Sequence, residues 1–263
     1  MKNNLMRFLV TTYHYNLLKD YERLSCFYEA IKEHAHGIVY DIGAGSGILS
    51  YFAAPYSKTV FAIEKDEKIA SYASKNLKNI PNVKVVNRDA LSYDFPCKAD
   101  TIICEMLDTA LIDEEQVPVI NKSLKHLKKD GRIIPYGVIN GAEAIEMDSN
   151  TIRYDENCEY KIKGKLTIYD NIIFNKKIKE KYKKTFKIPA NGKINDLKIT
   201  TFTLLTDNII AGPTTMMNPP LLIPIEEIKE KNYILKISLY YKMGGGLQTI
   251  KTKIKDIEDQ RCP

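Results

Sequence analysis

Ile38-Val39-Tyr40-Asp41-Ile42-Gly43-Ala44-Gly45-Ser46-Gly47-Ile48-Leu49-Ser50 is the stretch that decides the fold. A run of β-favouring residues enters a glycine-rich turn, and an apolar helical pattern begins directly behind it. Strand, glycine turn and helix in that order open a βαβ unit. Glycines there let the backbone turn tightly and let a ligand come close at the carboxyl end of the strand, where open α/β sheets bind their ligands. In the dinucleotide fingerprint the third glycine follows the second by three positions. Here Gly47 follows Gly45 by two and Ile48 holds the expected place, which disfavours NAD.

Outward from this loop, short apolar runs alternate with helical segments: strand 38–42, helix 46–55, strand 59–63, helix 67–77, strands 83–87 and 100–104, helix 115–128 and strand 131–134. The series predicts a Rossmann-like, doubly wound α/β domain with a mostly parallel sheet. Before it, residues from about 5 to 34 place Leu17, Leu18, Tyr21, Leu24, Phe27, Tyr28 and Ile31 at helical spacing, so one or two helices cap the domain. After Glu146 the helical pattern gives way to alternation at 161–169, 197–205, 233–241 and 247–254, with Gly244-Gly245-Gly246 as the turn between the last two. The expected division is a helical cap at 1–36, the α/β domain at 37–147 and a smaller β-rich, barrel-like domain at 148–263. The lysine-dense piece 176–187 reads as a solvated helix or loop.

Composition limits the function classes. No apolar run reaches the roughly 20 residues of a membrane span, and Met1 to Val10 lacks a secretory pattern, so a cytoplasmic protein is expected. Cys26, Cys97, Cys104, Cys158 and Cys262 are scattered without Cys-x-x-Cys spacing, and His14, His34, His36 and His126 have no partners at ligand spacing; free thiols and no metal site are expected. Residues 1–150 carry a net charge of −2 and residues 151–263 carry +8. The basic second half suits a phosphate-binding face. It also follows from a composition rich in Lys, Ile and Asn.

The Gly-x-Gly-x-Gly loop with Asp41 two residues ahead resembles that of class I S-adenosylmethionine-dependent methyltransferases. The second strand ends Phe61-Ala62-Ile63-Glu64, about 20 residues on, which puts a carboxylate where it can accept the ribose hydroxyls. After the third strand come Arg88-Asp89-Ala90, where Asp89 or a neighbouring amide meets the adenine edge. These elements define an expected cofactor site of Asp41, Gly43, Ala44, Gly45, Glu64, Asp89 and Ala90.

At the fourth strand, Cys104-Glu105-Met106-Leu107 followed by Leu111-Ile112-Asp113-Glu114 resembles the protein arginine methyltransferases, whose loop after that strand holds two glutamates at this spacing. The segment His14-Tyr15-Asn16-Leu17-Leu18-Lys19-Asp20-Tyr21-Glu22-Arg23 is similar to the family's N-terminal helix, and Asp130-Gly131-Arg132-Ile133-Ile134-Pro135 to its strand leading into a β-barrel. The resemblance implies that His14 and Arg23 reach the cofactor, Arg23 at its carboxylate, and that Glu105 and Glu114 act on a cationic acceptor. Residues 13–146 carry it. Met106-Leu107-Asp108-Thr109 departs from the family's Trp-Met-Gly-Tyr, no histidine follows His126 to form its Thr-His-Trp loop, and no helical dimerisation arm is evident. Asn218-Pro219-Pro220-Leu221 is similar to the Asn-Pro-Pro-aromatic motif of amino-group methyltransferases but falls far from the fourth strand, so a rigid connection is expected. The expected function is methyl transfer to nitrogen of a protein or other cationic acceptor. An RNA methyltransferase and a non-catalytic cofactor-binding module are the alternatives, and the oligomeric state is left open.

Overall fold

The computed structural model describes residues 8–148 and 150–259. The Met1–Arg7 part of the N-terminal cap and Cys262 lie outside the described residues, while Cys26, Cys97, Cys104 and Cys158 are free thiols. No helix of the described residues is long and apolar enough to cross a membrane.

Two helices open the chain, α1 (Thr12–Lys19) and α2 (Tyr21–His34), split at Asp20, whose side chain accepts a hydrogen bond from the Arg23 amide and so caps α2. The first layer is a five-stranded parallel sheet of β1 (Ile38–Ile42), β2 (Thr59–Glu64), β3 (Val83–Asn87), β4 (Ala99–Cys104) and β5 (Leu127–Ile134) in the order β3-β2-β1-β4-β5. Helices α3 (Ile48–Ala53), α4 (Glu67–Leu77) and α5 (Gln116–Ser123) connect them. The apolar stripe of α2 buries Phe27 and Ile31 against Val39, Val60 and Ile103, each side chain contributing about 1.5–3 kcal/mol by leaving water. The expected helix 115–128 is shorter: Leu124–His126 tightens into a 3-10 turn and β5 begins at Leu127.

The second layer is antiparallel and runs in the order β13-β12-β10-β6-β8. It comprises β6 (Gly137–Met147), β7 (Arg153–Tyr154), β8 (Tyr160–Ile162), β9 (Thr167–Ile173), β10 (Lys181–Leu204), β11 (Ile210–Ala211), β12 (Leu221–Lys242) and β13 (Lys251–Asp259). Strands β10 and β12, of 24 and 22 residues, pair along most of their length and bend where the register shifts at Ala190/Gly192 and Ile194/Asp196.

Four sequence expectations change here. The chain leaves the parallel sheet after Ile134 and joins the antiparallel one at Gly137, well ahead of the expected boundary near 148. Strand β6 is buried on both faces although it carries Asn140 and Glu143, so its sequence lacks the alternation that marks the other antiparallel strands. The single strand expected over 161–169 is broken into β8 and β9, because Gly164 packs so close to Pro189 that a Cβ there would lie 1.9 Å from its carbonyl oxygen. The lysine-dense piece 176–187 enters β10 from Lys181: its lysines alternate with Tyr182 and Phe186, and Phe186 is buried. The last strand starts at Lys251, after a 3-10 turn at Leu247–Thr249.

The two layers share one apolar core. Tyr40, Ile42 and Ile102 of the parallel sheet, Leu111 and Ile112 of the loop after β4, and Phe186, Leu235 and Tyr241 of the antiparallel sheet belong to the same cluster.

Candidate functional site

The strand order reverses between β1 and β4, and their carboxyl ends lie side by side, with Ile42 opposite Cys104. A crevice opens at such a point because the following connections leave in opposite directions. Gly43 and Glu105 are the next residues on those strands and line a cleft of about 1120 Å³, open to solvent. His14, Arg23, Gly43, Ala44, Gly45, Glu64, Asp89, Ala90, Glu105 and Glu114 all line it. Of the residues expected at the site only Asp41 does not: it is buried behind the loop and accepts a hydrogen bond of 2.6 Å from the Ser50 hydroxyl. Burial pushes its carboxyl up to about 7.

Gly43 and Gly45 take φ of 75° and 55°, which side-chain-bearing residues adopt at a cost. A Cβ on Gly43 would lie 2.9 Å from the Met106 side chain, and one on Gly45 would lie 2.9 Å from His14 Nε2. The loop therefore keeps a cradle that any side chain would fill. Glu64 accepts hydrogen bonds from the Gly45 amide at 3.0 Å and the Asp66 amide at 2.9 Å, tying the loop to the end of β2. Each carboxylate oxygen keeps a lone pair for a further donor. His14 shares a hydrogen bond of 2.8 Å between Nδ1 and the Thr11 hydroxyl, and partial burial holds its imidazole below the ordinary value. Asp89 is exposed at the end of β3 and accepts the Leu91 amide at 2.8 Å.

Arg23 and Glu105 meet each other. The Arg23 guanidinium donates from Nε to Glu105 Oε1 at 2.6 Å and from a terminal nitrogen to Oε2, and its other terminal nitrogen donates to the Leu17 carbonyl at 3.2 Å. The pair is bidentate and nearly shielded from water, with 3% and 11% of the two side chains exposed. Glu114 stands at the rim, its carboxyl raised by partial desolvation and by the charge of Asp113.

Between the two glutamates the chain is held by residues that the sequence reading did not single out. Gln116 donates to the Cys104 carbonyl at 2.8 Å and accepts the Met106 amide at 2.9 Å, fixing the start of the loop. Asp108 is buried and accepts the amides of Ile112, Asp113 and Glu114 at 2.9, 2.8 and 3.2 Å, fixing its end. Desolvation pushes the Asp108 carboxyl up to about 7. Ala110 and Leu111 sit at φ of 58° and 60°, a strained region for both. The antiparallel layer holds them there: Thr201 accepts the Ala110 amide at 2.8 Å, Tyr241 donates to the Ala110 carbonyl at 2.9 Å, and the Gly244 amide donates to the Leu111 carbonyl at 3.1 Å. The Asn218-Pro219-Pro220 segment joins this clamp, since the Pro219 carbonyl accepts the Thr109 hydroxyl at 2.6 Å. Tyr13 and Met216 also line the cleft, and no sequence motif had pointed to either.

The chain is similar in sequence and in fold to known methyltransferases. The family described as Ribosomal RNA adenine dimethylase matches residues 9–191. An uncharacterized protein of Methanothermobacter thermautotrophicus is 51% identical over 249 residues, covering 95% of this chain and 100% of that one. The probable histone-arginine methyltransferase 1.3 of Arabidopsis thaliana is 38% identical over 111 residues, 39% of this chain and 21% of that protein. Among solved structures, protein arginine methyltransferase 10 of Arabidopsis thaliana superposes with a TM-score of 0.80 at 16% identity, over 95% of this chain and 94% of that one. The Trypanosoma brucei PRMT1 enzyme-prozyme heterotetrameric complex with AdoHcy gives 0.78 at 16% identity, over 93% of each chain. At that identity the likeness is one of fold.

Proposed function

This chain belongs to the ribosomal RNA adenine dimethylase family and is an S-adenosylmethionine-dependent methyltransferase, and from that premise we propose that it methylates nitrogen on a cationic acceptor such as a protein arginine side chain. The observation that supports this reading is the meeting of Glu105 and Glu114 with the glycine loop around one cleft.

The cleft suits the cofactor, since Gly43 and Gly45 add no side chain of their own to the loop and the Glu64 carboxylate lines it. When bound, S-adenosylmethionine supplies an electrophilic methyl on a sulfonium. Gly43, Ala44 and Gly45 would give it room, Glu64 would accept its ribose hydroxyls, Asp89 and Ala90 would meet the adenine edge, and His14 and Arg23 would take the amino-acid end. Glu105 and Glu114 then attract a guanidinium or ammonium, orient it through charge-assisted bonds and concentrate its charge away from the attacking nitrogen. Most of the catalysis is positioning, because methyl transfer needs a near-attack geometry and little else from the protein. Arg23 neutralises Glu105 through their bidentate ion pair. A carboxylate arriving at Arg23 competes with Glu105 and returns its charge to the acceptor side, so the acceptor binds best after the cofactor.

The test uses Glu114→Gln with labelled cofactor and the acceptor labelled in a cell extract. Cofactor affinity should stay within about threefold while transfer falls on the order of 10²-fold, the usual worth of a charge placed at a reacting centre. A second reading, an RNA methyltransferase, draws on the family description and on the +8 charge of residues 151–263. It requires label that survives protease and not RNase, and transfer unchanged or faster in Glu114→Gln at low salt, since losing a negative charge favours a phosphate-bearing substrate.

A further inference from the structure

A second cavity, of about 960 Å³ and open to solvent, lies along the outer edge of the parallel sheet where it meets the antiparallel layer. It shares no lining residue with the first cleft. Leu127, Lys129, Gly131, Arg132 and Ile133 of β5 all line it, across the irregularity in the β4–β5 register, while Lys128 pairs with Asp100 at 2.8 Å. Leu127, Ile133, Ile173 and Leu205 make an apolar floor, with Tyr136 and Phe174 as aromatic walls. The cationic groups are Lys129 and Arg132, His34 also lines the cavity, and Asp207 is the lone carboxylate. Lys129 and Arg132 are exposed and have no ion-pair partner among the described residues. A pocket with an apolar, aromatic interior and cations at its mouth matches a ligand that is flat at one end and anionic at the other.

We propose that this cavity binds a nucleotide unit, with its phosphate on Lys129 and Arg132 and its base against Tyr136, separately from the methyl-transfer cleft. The unit is either a free nucleotide or one residue of a single-stranded RNA, and the two sources separate by experiment. Calorimetry is run on the full chain in saturating S-adenosylhomocysteine, which fills the first cleft, with ribose 5-phosphate, UMP and a single-stranded hexauridylate as probes. UMP should bind at least about fivefold tighter than ribose 5-phosphate, the lower bound of base stacking on an aromatic side chain. Arg132→Gln should weaken both, and Tyr136→Leu should abolish only the advantage of UMP. If the source is RNA, the hexamer binds tighter than UMP, and Lys129→Gln combined with Arg132→Gln lowers the salt slope of its binding by about 1.4. A free-nucleotide site shows UMP and the hexamer equal. The proposal is overturned if none of the probes binds, if Arg132→Gln binds all of them like the parent, or if a glutamate peptide binds as tightly as UMP, which marks a site for acidic proteins. Arg132 is exposed, so its variant folds and keeps the test decisive even where Tyr136→Leu does not.

Discussion

Asp108→Asn tests whether the loop between the two glutamates is a preorganised part of the site. The Asp108 carboxylate holds three backbone amides and the Tyr154 hydroxyl, the last at 3.3 Å. An asparagine keeps one acceptor oxygen. Turned toward Ile112 and Asp113, it presents its NH2 to the Glu114 amide; turned the other way, it loses two amides and the tyrosine. At least one bond to a charged acceptor is lost, worth about 1.5–3 kcal/mol. Asparagine escapes the burial penalty that raises the Asp108 carboxyl, so the net loss of stability should fall near the lower figure, about 1.5 kcal/mol. The freed bond is the one that places Glu114. Misplacing a group by about 1 Å can cost 10²-fold in rate, so transfer should fall by about 10- to 100-fold. Asp108 does not line the cleft, so cofactor affinity should hold. Urea unfolding, single-turnover transfer and cofactor calorimetry on the same preparation read the three quantities. Full transfer by a variant of lowered stability would refute the view that this loop must be held for catalysis, and a parallel loss of cofactor binding would show that Asp108 acts on the whole cleft.

Further outcomes follow from the glycine loop. Glu64→Ala should weaken the cofactor by about 1.5–3 kcal/mol and also lower the melting temperature, since the side chain ties Gly45 to β2; Glu64→Gln, which keeps an acceptor, should recover more of the stability than of the affinity. Gly45→Ala should cost about 1–2 kcal/mol of stability from its positive φ and displace His14, seen as lost cofactor binding by calorimetry. The pH dependence has a definite sign: Asp41 titrates at about 7 when folded and near 3.9 when unfolded, so the folded chain holds the extra proton between those values and its contribution to stability is lost as pH rises through about 7. Asp41→Asn should flatten the fall in urea midpoint between pH 5 and pH 8, and an unchanged slope would show that this carboxyl is not the source.

The parts of the site legible in the sequence are those written locally. Gly43 to Ser46, Glu64 and the spacing of Glu105 and Glu114 follow strands whose ends could be placed from their apolar runs, and all meet in the cleft. Arg23 against Glu105 was not legible, since the two lie 82 positions apart and no local pattern pairs them. Asp108 read as a departure from a family pattern, although an acidic residue within reach of three successive amides is a recognisable turn signal. The break at Gly164 depends on Pro189, and no local pattern foretells it. The strand starting at Lys181 was legible in its period of two; the density of lysine outweighed that signal.

The clamp on Ala110 and Leu111 also bears on the order in which the protein matures during synthesis. Every strand of the parallel sheet is translated by residue 134, when roughly half the polypeptide exists. The groups that hold the two strained residues, Thr201, Tyr241 and Gly244, are among the last to be translated. Until they emerge, nothing offsets the strain. A polypeptide halted before residue 201 therefore has the strands that carry the glycine loop and none of the three groups that hold Ala110 and Leu111.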